Sequence, residues 1–354
     1  MKPNIKKIVG QGKRLASERL RKPEPTAEEL RVTNETVAER REEVLRDARK
    51  FIYPLGAPKH RIVKWSVGIL IAAIVVFFSF CLLELYKFQD TSTFIYGVTQ
   101  VVPFPVAFVD HHFVSYNDYL FELRRYMHYY ATQQNIDFST KAGKQQLVVF
   151  KQRAFDQVIQ QAYVAELADK NNITVSDKDV DAAVNLVRDQ NRLGASDEVF
   201  QSVLSEFWGW SVADFQRELR QEIMAQKVVS QLDTATHTRA NAAFDQLQKG
   251  VDFGQLAKQV SDDQSTRAQG GDFGALIDRA NTQLAPQVTE ALFQLSPGKY
   301  SWIINTGYSL EIVKVLEVKG TQLRAAHISF NFQPITAYTD PLKKSEPVHP
   351  LVRF

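Results

Sequence analysis

The chain has 354 residues, 44% hydrophobic and 23% charged, which argues against a disordered or fibrous chain and allows two modest folded domains. Lys and Arg number 43 and Asp and Glu 40, a net charge of +3. The single cysteine, Cys81, excludes a disulfide framework and a thiol nucleophile outside its own segment.

Residues 1–60 form a basic tail. Over residues 1–64 the net charge is +8, which leaves −5 for the rest. The positive charge thus belongs to the tail, and no nucleic-acid partner is expected. Contact with anionic lipid would add at most about 1 kcal/mol per basic residue near the surface. A solvated, mixed-charge segment is the competing reading. Thr26-Ala-Glu-Glu29 reads as a capping box opening a helix that runs to about Lys50. Pro54 and Pro58 end it.

A transmembrane helix is expected over 63–87. The run Trp65–Leu83 is free of charge, and at about 1.5 Å per residue it spans ~28 Å, close to a bilayer core. More than sixty residues precede it and no small-residue cleavage site follows, unlike a cleaved signal peptide. Lys59, His60, Arg61 and Lys64 flank its N-terminal side, and Glu84, Lys87 and Asp90 the other. The positive-inside bias places the N-terminus in the cytoplasm and the later residues outside, as a single-pass protein of the cell membrane.

Residues 88–104, with Gly97 and Pro103, read as a connector. A short hairpin turning at Asp110–His112 follows. His111-His112 is not a metal site, because neighbouring turn residues point apart and no third ligand stands at suitable spacing. Helices fill 105–233. Leu120, Leu123, Tyr126, Met127 and Tyr130 form one apolar stripe, and Leu147, Phe150, Ala154, Phe155, Val158, Ala162 and Ala165 another. Ser115, Ser176, Ser196 and Ser211 are placed as N-caps. Gly194 breaks the third helix, and Trp208–Ser211 is a turn.

From 234 to 332 the pattern is mixed. Helices are expected over Ala240–Lys249, Phe253–Val260 and Ala285–Leu295, and strands over Tyr300–Asn305, Leu310–Val318 and Leu323–Phe332. Ser261–Gly271 is a polar loop, and Gly270–Gly274 a turn. Residues 333–354 hold four prolines and read as an exposed tail. No Gly-x-Ser-x-Gly, His-Glu-x-x-His or phosphate loop occurs, so hydrolase chemistry finds no support.

Lys249–Asp263, Gly270-Gly-Asp-Phe-Gly274, Ala291–Lys299 and Gly307–Val318 together resemble the parvulin (PpiC-like) peptidyl-prolyl isomerases. Val175–Val180 and Trp210–Arg220 resemble the N-terminal chaperone domains of SurA-like and PrsA-like foldases. The resemblance implies an α+β fold: a helical chaperone-like domain and a small antiparallel four-stranded sheet with flanking helices. The family's first strand carries a histidine before the first helix. Here the better match, Arg324–Ser329, comes last, which implies a circular permutation. Ala326, Ile328, Phe330 and Phe332 would then face the helices, and Ala325, His327 and Ser329 a groove. The competing reading keeps Thr236–Thr238 as the first strand, with His237 in the groove.

By resemblance, Asp263, His327 and Thr306 are the catalytic candidates, and Phe273, Leu284 and Val288 line the prolyl pocket. Asp263 also reads as a plain loop cap. The family's second histidine falls at Glu311 and its usual phenylalanine at Val288. No cofactor or metal is implied. The partners are unfolded or exported polypeptides with proline-containing segments. The function implied is a membrane-anchored extracytoplasmic foldase with isomerase activity, the alternative being a non-catalytic holdase with a degenerate parvulin domain.

Overall fold

A computed structural model describes residues 34–52, 58–109, 112–190 and 196–354. The capping box at Thr26, the breaks at Pro54 and Gly194, and the turn at 110–111 lie outside them. The chain divides into two units, Met1–Phe80 and Cys81–Phe354.

In the first unit, helix α1 (Asn34–Ile52) exposes Val37, Val44 and Leu45. Charges on the remaining faces leave too narrow an apolar stripe to fold against a core. Helix α2 (Pro58–Leu82) follows. The stretch Ile62–Phe88 has a mean hydropathy of 2.8 and is long and apolar enough to cross a membrane. Its exposed side chains include Trp65, Ile69, Leu70 and Val76.

The second unit begins at the end of that helix. Leu83–Phe88 continues it as a π-helical turn, closed by Gln89 in the left-handed region at φ 52°. Cys81 and Leu85 are fully buried in the core of this unit, so the apolar run expected in lipid to residue 87 is already covered by protein at its end. The expected connector is also corrected. Helix α3 (Thr93–Val101) starts at Ser92, whose side chain accepts from Ile95 N, and buries Ile95 and Thr99. The cap and the i, i+4 pair outweigh the flexibility of Gly97.

Strands β1 (Pro105–Val109) and β2 (His112–Ser115) pair antiparallel. Helices α4 (Tyr116–Thr132), α5 (Lys141–Lys170), α6 (Asp177–Gln190), α7 (Asp197–Trp208) and α8 (Val212–Leu232) follow. Ser115, Ser196 and Ser211 cap α4, α7 and α8, and Ser211 forms a reciprocal capping box with Asp214. The Ser176 hydroxyl accepts from Asp179 N at the start of α6. Tyr116, Leu120 and Leu123 of α4 pack with Phe150, Ala154 and Val158 of α5 in one cluster. Trp210 stacks on Phe121 at 5.4 Å, in the core that α6, α7 and α8 share.

Helix α9 (Thr234–Gln248) begins six residues earlier than expected because Asp233 accepts from Thr236 N. His237 is therefore helical, with Nε2 2.7 Å from Ser230 O, and the competing first strand at Thr236–Thr238 is excluded. Helix α10 (Phe253–Val260) and the single turn α11 (Gln264–Arg267) lead into β3 (Asp272–Ile277). That strand opens inside the segment expected as a turn. Helix α12 (Pro286–Gln294), the short β4 (Ile304–Asn305), β5 (Ser309–Lys319) and β6 (Gln322–Asn331) complete this part. Of the strand expected at Tyr300–Asn305, only β4 and a single bridge from Tyr300 to Lys314 form.

The sheet order is β3-β6-β5-β4, all antiparallel. The last of these four strands in sequence thus sits inside the sheet, as the permutation requires. Its register with β5 sets Ile312 opposite Ile328 and Val313 opposite His327. Ala326, Ile328 and Phe330 are buried against α9 and α10, while Phe332 is only half-buried at the strand end. On the other face Leu323 and Ala325 pack with Val313, Val315 and α12. Gly271 makes the close approach of β3 possible. At φ 85°, a Cβ there would lie 2.0 Å from His327 O, and its own carbonyl accepts from His327 N at 2.9 Å.

The C-terminal segment is no exposed tail. Helix α13 (Thr336–Ser345) leads to β7 (Val348–Pro350), which pairs antiparallel with the outer side of β1. Val352 is buried beside α4 and α5, and Phe354 stacks on Tyr119 at 5.8 Å. Prolines are tolerated because this strand is at a sheet edge, where a missing N–H breaks no inner ladder.

Candidate active site

Three elements of the sheet half bring the polar residues together. Asp263 ends the stretch after α10 and caps α11. Its Oδ1 accepts from Ser265 N at 3.0 Å and Ser265 Oγ at 2.7 Å. Its Oδ2 accepts from Thr266 Oγ1 at 2.5 Å and lies 2.8 Å from His327 Nε2. Asp263 thus caps the turn with both oxygens and meets His327 with one of them.

His327 stands on β6 with its side chain 9% exposed. Its Nδ1 lies 3.1 Å from Glu311 Oε2. Two ring nitrogens facing two carboxylates require both to donate, which is the imidazolium form. Burial works against that charge, but Glu311 and Asp263 outweigh it and raise the His327 pKa above its ordinary value. Burial likewise opposes ionisation of Asp263. The bonds from Thr266, Ser265 and His327 prevail and hold its carboxyl well below the usual range. Phe273 of β3 covers the ring, with centroids 4.4 Å apart.

Glu311 extends the chain of contacts. Ser309 Oγ donates to Glu311 Oε1 at 3.1 Å and lies 2.9 Å from Thr306 Oγ1. A polar rail thus runs Asp263, His327, Glu311, Ser309, Thr306. Sequence reasoning registered Glu311 only as a missing histidine and did not single out Thr266 or Ser309. The signal was present for Glu311: strand alternation puts residues 309, 311 and 313 of β5 on the face that carries His327 in β6.

Thr306, Ser309 and Glu311 reach the wall of a cleft of about 1450 Å³. Its opposite wall is α6 and α8 of the helical half, and Leu284 and Phe293 line it from the sheet half. Tyr308 Oη donates to Glu222 of α8, and Asn305 Nδ2 donates to Ser230 Oγ at 2.6 Å, which ties the Thr306 loop to α8. Leu284 is half-buried and held by its N–H to Asn281 Oδ1 at 2.9 Å. Val288 is 1% exposed and sits with Leu292 in the cluster against which Phe273 and Leu284 pack, behind the residues that line the cleft. On α12 the i, i+4 pair 288 and 292 faces inward, while Thr289, Glu290 and Phe293 face the cleft.

The sheet half is an antiparallel four-stranded sheet with helices on both faces, joined to a helical domain across a cleft. Each part is similar to a known family. Residues 59–229 match the family model of the SurA-like N-terminal domain, and residues 223–317 that of the PPIC-type PPIase domain. The two matches follow one another along the chain. The second match ends before β6, the strand that the sheet nevertheless seats beside β5. Foldase protein PrsA of Caldanaerobacter subterraneus is 29% identical over 201 residues, 51% of this chain and 63% of that one. Chaperone SurA of Albidiferax ferrireducens is 34% identical over 128 residues, 31% of this chain and 27% of that one. A parvulin-like PPIase of Rickettsia typhi is 32% identical over 91 residues, 26% of this chain and 32% of that one. The chain spans less than two thirds of the length of each of these relatives.

Proposed function

We propose that the protein is a membrane-anchored foldase whose sheet domain isomerises Xaa-Pro bonds in polypeptides engaged by the helical domain. The observation that carries this reading is the rail from Asp263 through His327 to Thr306, running beside Phe273 and ending on the cleft wall with Leu284.

The chemistry needs no nucleophile. An amide resists twisting by ~18–20 kcal/mol because rotation loses the resonance between nitrogen and carbonyl. The planar form carries charge separation that water stabilises, and the twisted form carries less. A dry, apolar surface such as Phe273 and Leu284 therefore favours the twisted form relative to the planar one. Asp263, its side chain 26% exposed, and Thr306, on the cleft wall, would hold the flanking peptide groups. His327 fixes Asp263 in place and is itself nearly covered.

Isomerisation of a proline peptide by the full chain in detergent tests the reading. Catalysed exchange supports it, and exchange at the uncatalysed rate of tens to hundreds of seconds sinks it. Within an active protein, Leu284→Ala removes part of the prolyl contact. The expected loss is about 5- to 30-fold in kcat/KM, from ~1–2 kcal/mol of lost apolar contact. An unchanged rate would place the pocket elsewhere. A peptide-binding holdase without turnover is the second reading, favoured by Glu311 standing where the family carries histidine.

The orientation follows from the flanking charges, with the N-terminus cytoplasmic and the folded domains outside. Protease added to wall-stripped cells is expected to digest the part after residue 88 and to spare residues 1–60. Protection of the C-terminal part would reverse the orientation.

A further inference from the structure

The cleft between α6, α8 and the sheet half is too large for one proline ring. Its volume of about 1450 Å³ exceeds the ~300–1,000 Å³ of small-molecule sites. Its apolar surface comes from both halves, with Leu186, Leu219 and Ile223 on one wall and Leu284, Ala285 and Phe293 on the other. Such a trough suits an extended polypeptide rather than a compact ligand.

Its charge is one-sided. Among the described residues, Asp179, Asp189, Glu222, Glu290 and Glu311 line it, against a single cationic side chain, Arg279. Asp179 is neutralised by Lys227 at 2.7 Å, and Glu311 by His327. Glu222 accepts from the neutral Tyr308 hydroxyl and from Gln226 Nε2 at 3.4 Å, neither of which cancels its charge. Glu290 is bonded only to the neutral amide of Gln294, among the described residues. Arg279 stacks over Phe293 at 4.7 Å and answers one of the three remaining carboxylates. The lining thus keeps a net negative charge, carried by Asp189 and Glu222 of the helical half, while Arg279 offsets Glu290 on the sheet half.

We propose that the cleft selects basic, apolar segments, proline flanked by Lys or Arg, over acidic ones. This rests on the reading of the cleft as a polypeptide site and names its substrate class. A charged lining with low-dielectric walls focuses its field inward, so a cationic segment is concentrated there and an anionic one repelled. The apolar walls take the aliphatic stems of Lys and Arg together with neighbouring hydrophobic residues.

Two labelled proline peptides that differ only in flanking Lys or flanking Glu provide the test. Binding is read by fluorescence anisotropy, and turnover by exchange between cis and trans signals, with the full chain in detergent. The Lys peptide is expected to bind about tenfold tighter at low salt, the low end of what charge-lined clefts achieve. The ratio should shrink towards one at about 0.5 M salt, where exposed charges are screened. The double variant Asp189→Lys, Glu290→Lys is expected to invert the ratio. Because the ratio compares two peptides on one protein, general loss of folded material does not move it. Equal binding of the two peptides, or the same preference in the double variant, overturns the proposal. If both peptides turn over without a charge preference, this inference fails and the isomerase reading stands. If neither turns over yet Lys is bound in preference, the inference stands and the isomerase reading fails.

Discussion

Phe330→Ala is expected to cost about 3–5 kcal/mol, the range for removing a fully buried aromatic ring. Phe330 has no exposed surface and stands opposite Leu310 in the register of β5 and β6, inside the cluster with α9 and α10. The expected readout is a lower urea midpoint at unchanged slope, with faster hydrogen exchange across β5 and β6. Truncation gives the larger effect. A chain ending at Lys319 lacks the strand that joins β3 to β5, so β3 is stranded and the pair β4–β5 keeps an open edge. Its sheet amides are expected to exchange without protection. A chain ending at Gln333 is the control, since it keeps β6 and loses only the arm that carries β7 and Val352. Native-like protection in the Lys319 chain would mean that β6 is dispensable and the permuted strand does not complete the sheet.

His327→Ala is expected to lower isomerase activity on the order of 10²-fold, the scale of removing one preorganised polar group from a site. It also leaves Asp263 and Glu311 facing each other without the cation between them. Breaking a buried pair in this way costs about 3–5 kcal/mol, and the partial exposure of Asp263 puts the expected cost near the lower end. The pH dependence follows from the two shifts. The pKa of His327 is raised on folding, so its stabilising contribution is complete below the unfolded value near ~6.5 and is lost as pH rises through the higher folded value. The pKa of Asp263 is lowered, so its contribution is complete above the unfolded value near ~3.9 and is lost as pH falls through the depressed folded value. The pair is therefore strongest between about pH 4 and 6.5. Glu311→Gln removes a major support of the imidazolium. It should bring the His327 titration, followed by NMR of the ring nitrogens, to lower pH. A titration unmoved by that change would mean that Glu311 does not hold the charge.

Much of the molecule was legible without coordinates because its signals are local. Ser115, Ser196 and Ser211 act on the amide groups two or three residues downstream, so composition alone marked three helix starts. The alternation of Ala326, Ile328 and Phe330 against Ala325 and His327 gave both the strand and its two faces, since the side-chain period of a strand is two. The charge-free run from Trp65 likewise declared itself by length and composition. What was not legible lies where distant chain decides. How deep Val288 lies is one such case: it is buried in the cluster that Phe273 and Leu284 pack against, which the sheet decides. The connector at 88–104 and the tail at 333–354 looked solvated because each is short and rich in residues of weak preference. The first gains a helix from Ser92 and a core from α4, and the second gains a strand from the free edge of β1. Glu311 was visible as a departure from a pattern, but its pairing with His327 depends on the β5–β6 register, which spans 16 residues and a turn. The sequence by itself determined which segments can be helix, strand or membrane span, because backbone capping and side-chain period are short-range. Only the tertiary structure decided which carboxylates share the histidine and where the chain's last strand docks, because those contacts exist only once separate segments are packed together.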